Sequence, residues 1–287
     1  MPRETNDFKI SAIIPTHNRA AWLDKALQSI FSQTRPALEI IVVDDGSTDG
    51  TAGLVAEYSG VQYFKQENRG VSAARNFGVS KSRGNWLAFL DSDDHWAPQK
   101  LERQVAFLQA NAKLQAVYTN EIWIRNGKRV NQKKKHGKYG GRIYLECLPL
   151  CIISPSSILL SKKLWNEIGG FDEALLAAED YDLWLRISAE HEIGFLDEPL
   201  IYKYGGHEDQ LSSQWGIDEY RVSALEKMLD RNLPADYRLA TLEWVVRRCG
   251  ILAIGFEKNH KNLEAKKYRD KQKFWQAALL KESDSLA

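Results

Sequence analysis

The chain has 287 residues, of which 44% are hydrophobic and 27% are charged. This composition is that of a folded globular protein and excludes an intrinsically disordered chain. The length suits one large domain, or one domain with an appendage. The formal net charge of +1 gives no global reason to expect nucleic acid or an acidic polymer as a partner.

The cysteines and the apolar segments bear on the cellular compartment. Cys147, Cys151 and Cys249 do not form the pattern of a disulfide framework, so we interpret them as free thiols, with a metal or redox role as the alternative. Residues 1–14 lack the charged-then-apolar pattern of a signal peptide. The longest apolar run, 143–153, is well short of a membrane span. We therefore expect a cytoplasmic protein.

The first hundred residues alternate between two hydrophobic periodicities. Continuous apolar runs predict buried strands at 10–14, 39–43, 61–65 and 85–90. The segments between these runs have helical spacing, and Ser47 or Thr48 is the expected cap of the second helix. Alternating strands and helices form βα units, so the sequence predicts an α/β fold with a largely parallel sheet.

The rest of the chain is less regular. Its predicted elements are a helix over 99–112, a hairpin over 116–130, a strand and short helix over 154–171, a helix over 177–191, a strand pair over 193–206, and helices from 218 onward. The hairpin is expected to turn at Asn126-Gly127, because this dipeptide favours tight turns between strands.

Polar clusters follow three of the predicted strands, at 15–19 (PTHNR), 44–49 (DDGSTD) and 91–94 (DSDD). Ligands bind outside the carboxyl ends of the strands in such sheets, so we expect these clusters to form one site. The carboxylates of 91–94 repel one another unless positive charge or water separates them. Mg²⁺ and Mn²⁺ prefer oxygen ligands, and we interpret this turn as a metal site, with a solvated loop as the alternative.

Two further groups complete the candidate site. Asp44 and Asp45 leave their strand where a carboxylate can contact a base or ribose, although residues of this segment also suit a helix cap. Arg69 and Arg75 flank a helix start, where backbone N–H groups favour an anion such as a diphosphate. Two surface arginines would be the simpler interpretation.

Together these motifs resemble those of the family 2 glycosyltransferases over residues 9–210. The matching segments, in order, are SAIIPTHNR, EIIVVDDGSTDGT, NRGVSAARNFGV, WLAFLDSDD and AAEDYDLWLRI. The resemblance implies a GT-A fold, which is Rossmann-like with a mostly parallel sheet between helices. It also implies a nucleotide-diphospho-sugar donor, Mg²⁺ or Mn²⁺ as cofactor, and transfer with inversion at the anomeric carbon.

The resemblance assigns roles to individual residues. The nucleotide-sugar pocket is expected to contain Pro15, Thr16, His17, Arg19, Asp44, Asp45, Arg75, Asp91 and Ser92. The metal ligands implied are Asp91 and Asp93, with Asp94 beside them and His207 as a looser match. Glu179 and Asp180 match the family's Glu-Asp pair, whose Asp is the catalytic base.

The resemblance also divides the chain. Residues 1–215 are the expected catalytic domain, with a nucleotide-binding half (1–98) and an acceptor-binding half (99–215), and 216–287 form a helical extension. Packing against the catalytic domain, or formation of a homodimer, would each explain the apolar faces of the extension.

The membrane helices and further acceptor motifs of the family's polymer synthases are not visible. We therefore expect addition of a single sugar, with UDP as the default donor nucleotide, to a glycan or lipid-linked acceptor of the cell envelope. The basic run 128–142 is a candidate for peripheral membrane contact, or else a solvated hairpin tip.

Three other classes are compatible with an α/β sheet. A nucleotidyltransferase is disfavoured because 15–19 lacks a glycine-rich phosphate loop. A dinucleotide-dependent dehydrogenase is disfavoured because no G-x-G-x-x-G follows the first strand. A non-catalytic sugar-nucleotide or glycan-binding protein remains, and the intact Asp91, Asp93 and Asp180 argue against it.

Overall fold

The computed structural model describes residues 7–133, 136–206 and 216–286. The strands are β1 (Ile10–Thr16), β2 (Glu39–Asp44), β3 (Val61–Lys65), β4 (Trp86–Phe89), β5 (His95–Trp96), β6 (Ala116–Arg125), β7 (Lys128–Val130), β8 (Ile158–Ser161) and β9 (Gly194–Gly205). The helices are α1 (Ala20–Phe31), α2 (Thr51–Ala56), α3 (Val71–Lys81), α4 (Lys100–Ala110), α5 (Tyr144–Cys147), α6 (Lys162–Ile168), α7 (Glu179–Glu190), α8 (Ile217–Leu229), α9 (Ala235–Lys258) and α10 (Asn262–Leu286).

The strands form a single mixed sheet in the order β3-β2-β1-β4-β8-β6-β9-β5, with β7 paired to β6. The first four strands in this order are parallel, as predicted for the first hundred residues. Beyond β4 the sheet is mixed, because β8 runs antiparallel to both β4 and β6, while β9 runs parallel to β6. The strictly parallel part is thus confined to the N-terminal half.

The central strands are buried on both faces. In β1, Ile13 packs into one apolar cluster while its neighbours Ala12 and Ile14 pack into the other. Successive side chains of a strand point to opposite faces, so a strand covered on both sides must be apolar at every position. This is why the continuous apolar runs in the sequence located the strands.

Two local expectations were wrong. Helix α2 begins at Thr51 rather than near Ser47 or Thr48, and the N–H of Thr51 donates to Asp49 Oδ1 instead. The strand pair expected over 193–206 is a single strand, β9, whose pairing with β6 shifts register near Asn120. The register shifts lie on both sides of Pro199, which has no N–H for a regular ladder.

The C-terminal helices share the core of the sheet domain. Val222 of α8 and Leu242 of α9 lie in the same apolar cluster as Tyr144 and Trp184. Packing against the catalytic part is therefore correct as an explanation of their apolar faces, while the domain boundary at 215 and a homodimer stay predictions. Within the described ranges, no helix has both the length and the apolar character needed to cross a membrane.

The basic run 128–142 is not uniformly a solvated tip. The hairpin turns at Asn126-Gly127 as predicted, with positive φ at both residues. Lys138, however, is buried, donates to the carbonyl of Ile152, and lies 3.4 Å from Glu121 Oε1. This lysine belongs to the protein interior and not to a membrane-facing surface.

Glu39, at the start of β2, is a buried carboxylate that joins neighbouring elements. It accepts hydrogen bonds from Ser11 Oγ (2.6 Å), Gln62 Nε2 (2.8 Å), and both the backbone N–H (2.6 Å) and Nε (2.9 Å) of Arg83. Burial alone would raise the pKa of Glu39, but these hydrogen bonds outweigh it and lower the pKa from 4.5 to about 2. The network ties β1, β2 and β3 to the segment entering β4.

Glu39→Gln should lower the free energy of unfolding by about 1–3 kcal/mol, because the amide cannot accept from all four donors. The folded-state pKa lies below the unfolded value of 4.5. The carboxylate's contribution is therefore complete above that value and is lost as the pH falls toward 2. Urea unfolding at pH 7 and at pH 3 should show the difference between the two proteins shrinking at the lower pH. A difference that is constant across this range would contradict the assignment.

Candidate active site

A single cleft of about 680 Å³ lies at the carboxyl ends of β1, β2 and β4. It brings together most of the residues that the sequence selected: Pro15, Thr16, His17, Arg19, Asp45, Arg75, Asp91, Ser92, Asp93, Asp94, Glu179 and Asp180. Asp44 lies outside the cleft wall, and His207 falls outside the described residues. The three polar clusters therefore do meet at one edge of the sheet, as the parallel arrangement of their strands requires.

Each carboxylate of the acidic turn at 91–94 has its own partner. Asp91 Oδ1 accepts from Nη2 of Arg75 at 2.6 Å, while Asp93 Oδ2 is paired with Nη1 of Arg19. The pKa of Asp91 is held below its ordinary value, because the charge of Arg75 outweighs the effect of burial. Two arginines, Arg19 directly before α1 and Arg75 within α3, thus offset the repulsion between the carboxylates of the turn.

Asp94 has a structural role in the turn. Its side chain is buried, and its carboxylate accepts from Ser156 Oγ (2.7 Å) and from the N–H of Tyr204 (3.2 Å). Burial and the charges of Asp93 and Asp91 raise its pKa well above the ordinary value. Asp94 therefore fastens the acidic turn to β9 and to the 3-10 turn at 155–157, which leaves Asp91 and Asp93 as the carboxylates better placed for a cation.

Arg75 does not project into the cleft as a free anion site. Its guanidinium is buried, donates to Asp91 Oδ1 and to Glu179 Oε1 (2.7 Å), and lies over the ring of Phe171 at 5.0 Å. Nε is buried and has no acceptor among the described residues. Arg75 therefore bridges the acidic turn and the start of α7, and its contact with a diphosphate stays a prediction.

Helix α7 presents the Glu-Asp pair at its first turn. Ala178, which precedes it, has a left-handed backbone conformation with φ 58°, a sparsely populated region for a residue with a side chain. Glu179 is turned to Arg75, and its pKa is raised by burial and by the neighbouring Asp180 charge. Asp180 is partly exposed in the cleft, with Oδ1 accepting from the N–H of Tyr181 at 2.7 Å. This hydrogen bond fixes the orientation of the carboxylate.

The predicted nucleoside side of the cleft is built by hydrogen bonds within the loops. Asp45 accepts from Gln66 Nε2 (2.7 Å) and from the N–H groups of Arg69 (2.9 Å) and Gly70 (2.8 Å) at the start of α3. Asp44 is fully buried and bonds to the N–H of Ser47 and the hydroxyl of Tyr63. Asp44 therefore shapes the turn after β2, whereas Asp45 lines the cleft.

His17 and Thr16 border the same side. Nδ1 of His17 lies 2.8 Å from the carbonyl oxygen of Asp45, which sets the ring against the turn after β2. Thr16 is buried, and its hydroxyl has no hydrogen-bond partner among the described residues although the residue lines the cleft. A buried hydroxyl without a partner is a place where a ligand atom is favoured.

Sequence reasoning missed Lys203. This residue of β9 lines the cleft, and the charges of Glu121, Asp94, Asp91 and Asp180 raise its pKa above the ordinary value despite burial. The available signal was the one cationic residue of this strand, which lies between Tyr202 and Tyr204. Lys203 provides positive charge between the acidic turn and the Glu-Asp pair.

Sequence reasoning also missed the contribution of α8. Ile217 and Arg221 line the cleft, so the C-terminal helices form part of its wall. An arginine on a predicted surface helix gives no signal of this kind in a sequence.

The acidic turn fits a hard divalent cation. Asp91 and Asp93 have side chains that are 25% and 14% exposed, which opens their carboxylates toward the cleft. Each uses one named oxygen for its arginine, and carboxylate oxygens are the ligands that Mg²⁺ and Mn²⁺ select.

Residues 11–169 match the sequence profile of Glycosyl transferase family 2, and the chain belongs to this family. An uncharacterized glycosyltransferase of Rickettsia conorii is 33% identical over 204 residues, which covers 68% of this chain and 32% of that protein. The chain thus spans about a third of the length of this relative.

Two further comparisons refine the picture. The UDP-Glc:alpha-D-GlcNAc-diphosphoundecaprenol beta-1,3-glucosyltransferase WfgD of Escherichia coli is 30% identical over 212 residues, covering 72% of this chain and 81% of that protein. The crystal structure of S. aureus TarS 1-349 in complex with UDP-GlcNAc has a TM-score of 0.68 at 20% identity, covering 94% of this chain and 92% of that one. The predicted GT-A fold is confirmed.

Arg75→Met should lower the free energy of unfolding by about 3–5 kcal/mol, because it removes the guanidinium that pairs directly with the part-buried Asp91 and the buried Glu179. The matched control is Arg69→Met. Arg69 pairs with Glu173 through side chains that are 65% and 40% exposed, and the loss there should stay below about 1 kcal/mol. Urea denaturation measures the free energy of unfolding of both variants. Equal losses would show that the buried bridge contributes no more to stability than the exposed ion pair of Arg69.

Proposed function

We propose that this protein is an inverting, metal-dependent glycosyltransferase that transfers one sugar from a nucleotide-diphospho-sugar to a hydroxyl group of an acceptor. The observation that carries the proposal is the juxtaposition of the acidic turn with the Glu-Asp pair, both held by the guanidinium of Arg75. This places candidate groups for the donor and for the acceptor in one cleft.

The donor side follows from charge. Cleavage of the anomeric C–O bond develops positive charge on the sugar and negative charge on the leaving diphosphate. Mg²⁺ or Mn²⁺, held by Asp91 and Asp93, would supply electrostatic stabilisation of the leaving diphosphate. Arg19 and Lys203 add fixed positive charge at the same turn, and Asp45 with Thr16 offers polar contacts to the nucleoside.

The acceptor side requires a base. An acceptor hydroxyl must lose its proton as it attacks the anomeric carbon, and a positioned carboxylate is suited to accept it. Asp180 is partly exposed in the cleft and is oriented by the Tyr181 N–H, whereas Glu179 is occupied by Arg75. Asp180 is therefore the proposed base, and Glu179 positions the first turn of α7. Asp180 lies on a different element from the acidic turn. The acceptor hydroxyl would therefore attack the anomeric carbon from the side opposite the leaving diphosphate, which inverts the configuration of that carbon.

The proposed substrates follow from the relatives. UDP is the proposed donor nucleotide, because WfgD takes UDP-Glc and TarS 1-349 was solved with UDP-GlcNAc. WfgD acts on a diphosphoundecaprenol-linked sugar, which supports a glycan or lipid-linked acceptor in cell-envelope synthesis for this protein as well. With such an acceptor, the proposed location of the protein is the cytoplasm, at the inner face of the membrane.

Asp180→Asn should keep donor binding while reducing transfer by about 10²–10⁴-fold, since the amide cannot accept the proton. Donor binding is measured by the thermal shift produced by UDP-sugars with Mn²⁺, and transfer by release of UDP. Glu190→Gln is the matched control, because Glu190 lies at the other end of α7 and pairs with Arg231 at the surface. Normal turnover by Asp180→Asn would refute the assignment of the base.

Removal of divalent cations by EDTA should abolish transfer, and Mn²⁺ or Mg²⁺ should restore it. Asp93→Asn should raise the Mn²⁺ concentration needed for half-maximal activity by at least about tenfold, because it removes one charged ligand. The thermal shift produced by UDP should likewise depend on the cation. Full activity in EDTA would exclude the proposed metal role, whereas UDP binding without any transfer would favour a sugar-nucleotide-binding protein.

A further inference from the structure

The C-terminal helices contribute a positively charged wall to the cleft. Helix α8 places Ile217 and Arg221 on the cleft surface beside Tyr181, the residue that follows the proposed base. The guanidinium of Arg248 on α9 lies 5.7 Å from the ring centroid of Tyr181, and Asp218 joins Arg248 to Arg221. The wall therefore lies next to the place where the acceptor hydroxyl must bind.

Two guanidinium groups of this wall share one carboxylate. Asp218 Oδ1 accepts from Nη1 of Arg221 at 3.0 Å and also from Nη1 of Arg248. The other first-turn acid of α8, Glu219, accepts from the hydroxyl of Tyr268 on α10 at 2.9 Å. Arg221 therefore has only a share of its carboxylate partner among the described residues.

Arg248 and Arg221 differ in burial and in the hydrogen bonds that they donate. Arg248 is buried, and its Nη2 group donates to the carbonyls of Leu148 (3.3 Å) and Pro149 (2.9 Å). Arg221 lines the cleft and keeps 17% of its side chain exposed, against 5% for Arg248, while the buried Nε of each has no acceptor among the described residues. Arg248 thus holds the wall together, while Arg221 retains hydrogen-bonding capacity toward the cleft.

We propose that Arg221 binds an oxyanion of the acceptor, so that α8 and α9 select acceptors with an anionic group near the reacting hydroxyl. A guanidinium recognises phosphate and carboxylate through the same paired N–H geometry. The acceptor is therefore a phosphate-linked saccharide or one that contains a uronate. This inference rests on the proposed function for its role in catalysis, but anion binding can be measured without transfer.

The experiment is saturation-transfer NMR on the full chain with sn-glycerol 3-phosphate and with glucuronate as probes, and with glycerol as the uncharged control. UDP and Mg²⁺ are present at saturation so that the donor site is filled. Arg221→Gln should weaken binding of the preferred anion by about 10–100-fold, the equivalent of one charge-assisted hydrogen-bond partner. Arg221→Lys should retain part of the affinity. The preferred probe tells phosphate from carboxylate.

Two matched variants sharpen the result. Arg247→Gln removes an exposed arginine that stacks on Trp244 of α9, and it should leave the affinity unchanged. Arg231→Gln should also leave it unchanged, because Arg231 pairs with Glu190 at the surface and does not line the cleft. Equal affinity in Arg221→Gln and the wild type would overturn the inference, as would the same weak binding of the anions and glycerol. An equal loss of affinity in Arg231→Gln would show that the anion responds only to overall charge, and would overturn it too.

Because the readout is binding, its failure is distinct from failure of the proposed function. An inactive enzyme that still binds the anion through Arg221 would contradict only the catalytic proposal. An active enzyme indifferent to Arg221→Gln would contradict only this inference. Thermal unfolding of each variant checks that the fold is retained, and Arg221→Lys keeps the charge next to Asp218 should the glutamine variant prove unstable.

Discussion

The cleft depends on one buried guanidinium. Arg75 donates to Asp91 on the strand-end side and to Glu179 on the helix side, and these two residues belong to segments that are far apart in the sequence. Burying three charges costs solvation energy, and only close pairing with good hydrogen bonds offsets that cost. The geometry of the site is therefore the geometry that satisfies this cation, which fixes how the acidic turn faces the first turn of α7.

The other charged side chains of the cleft are also held by partners from separate elements. Asp93 is held by Arg19, Asp94 by neutral donors on β9 and the 155–157 turn, and Lys203 lies among the carboxylates. Each carboxylate is thus aimed by a partner from a different element. A preorganised set of charges stabilises a reacting ligand more effectively than the same groups on mobile chains, because the protein does not have to reorganise.

The sequence predicted the strands, because strands buried on both faces are apolar at every position, and it predicted the common edge from the order of the elements. It could not predict which carboxylates are free to bind a ligand. Arg75 and Glu179 are separated by 104 positions, and their pairing is visible only in three dimensions. For the same reason the sequence did not show that Asp94 accepts hydrogen bonds from Ser156 and Tyr204, and metal binding by Asp94 stays a prediction.

The contact between the C-terminal helices and the cleft limits which exchanges of segments the protein can tolerate. Arg248 of α9 donates hydrogen bonds to the carbonyls of Leu148 and Pro149. These residues directly precede the apolar segment at 150–153, which lines the cleft. The helices and this segment of the cleft are therefore mechanically coupled. Joining this sheet to the C-terminal helices of a distant homologue would remove the Arg248 contacts, and so would loosen the 150–153 segment together with the part of the cleft that α8 lines.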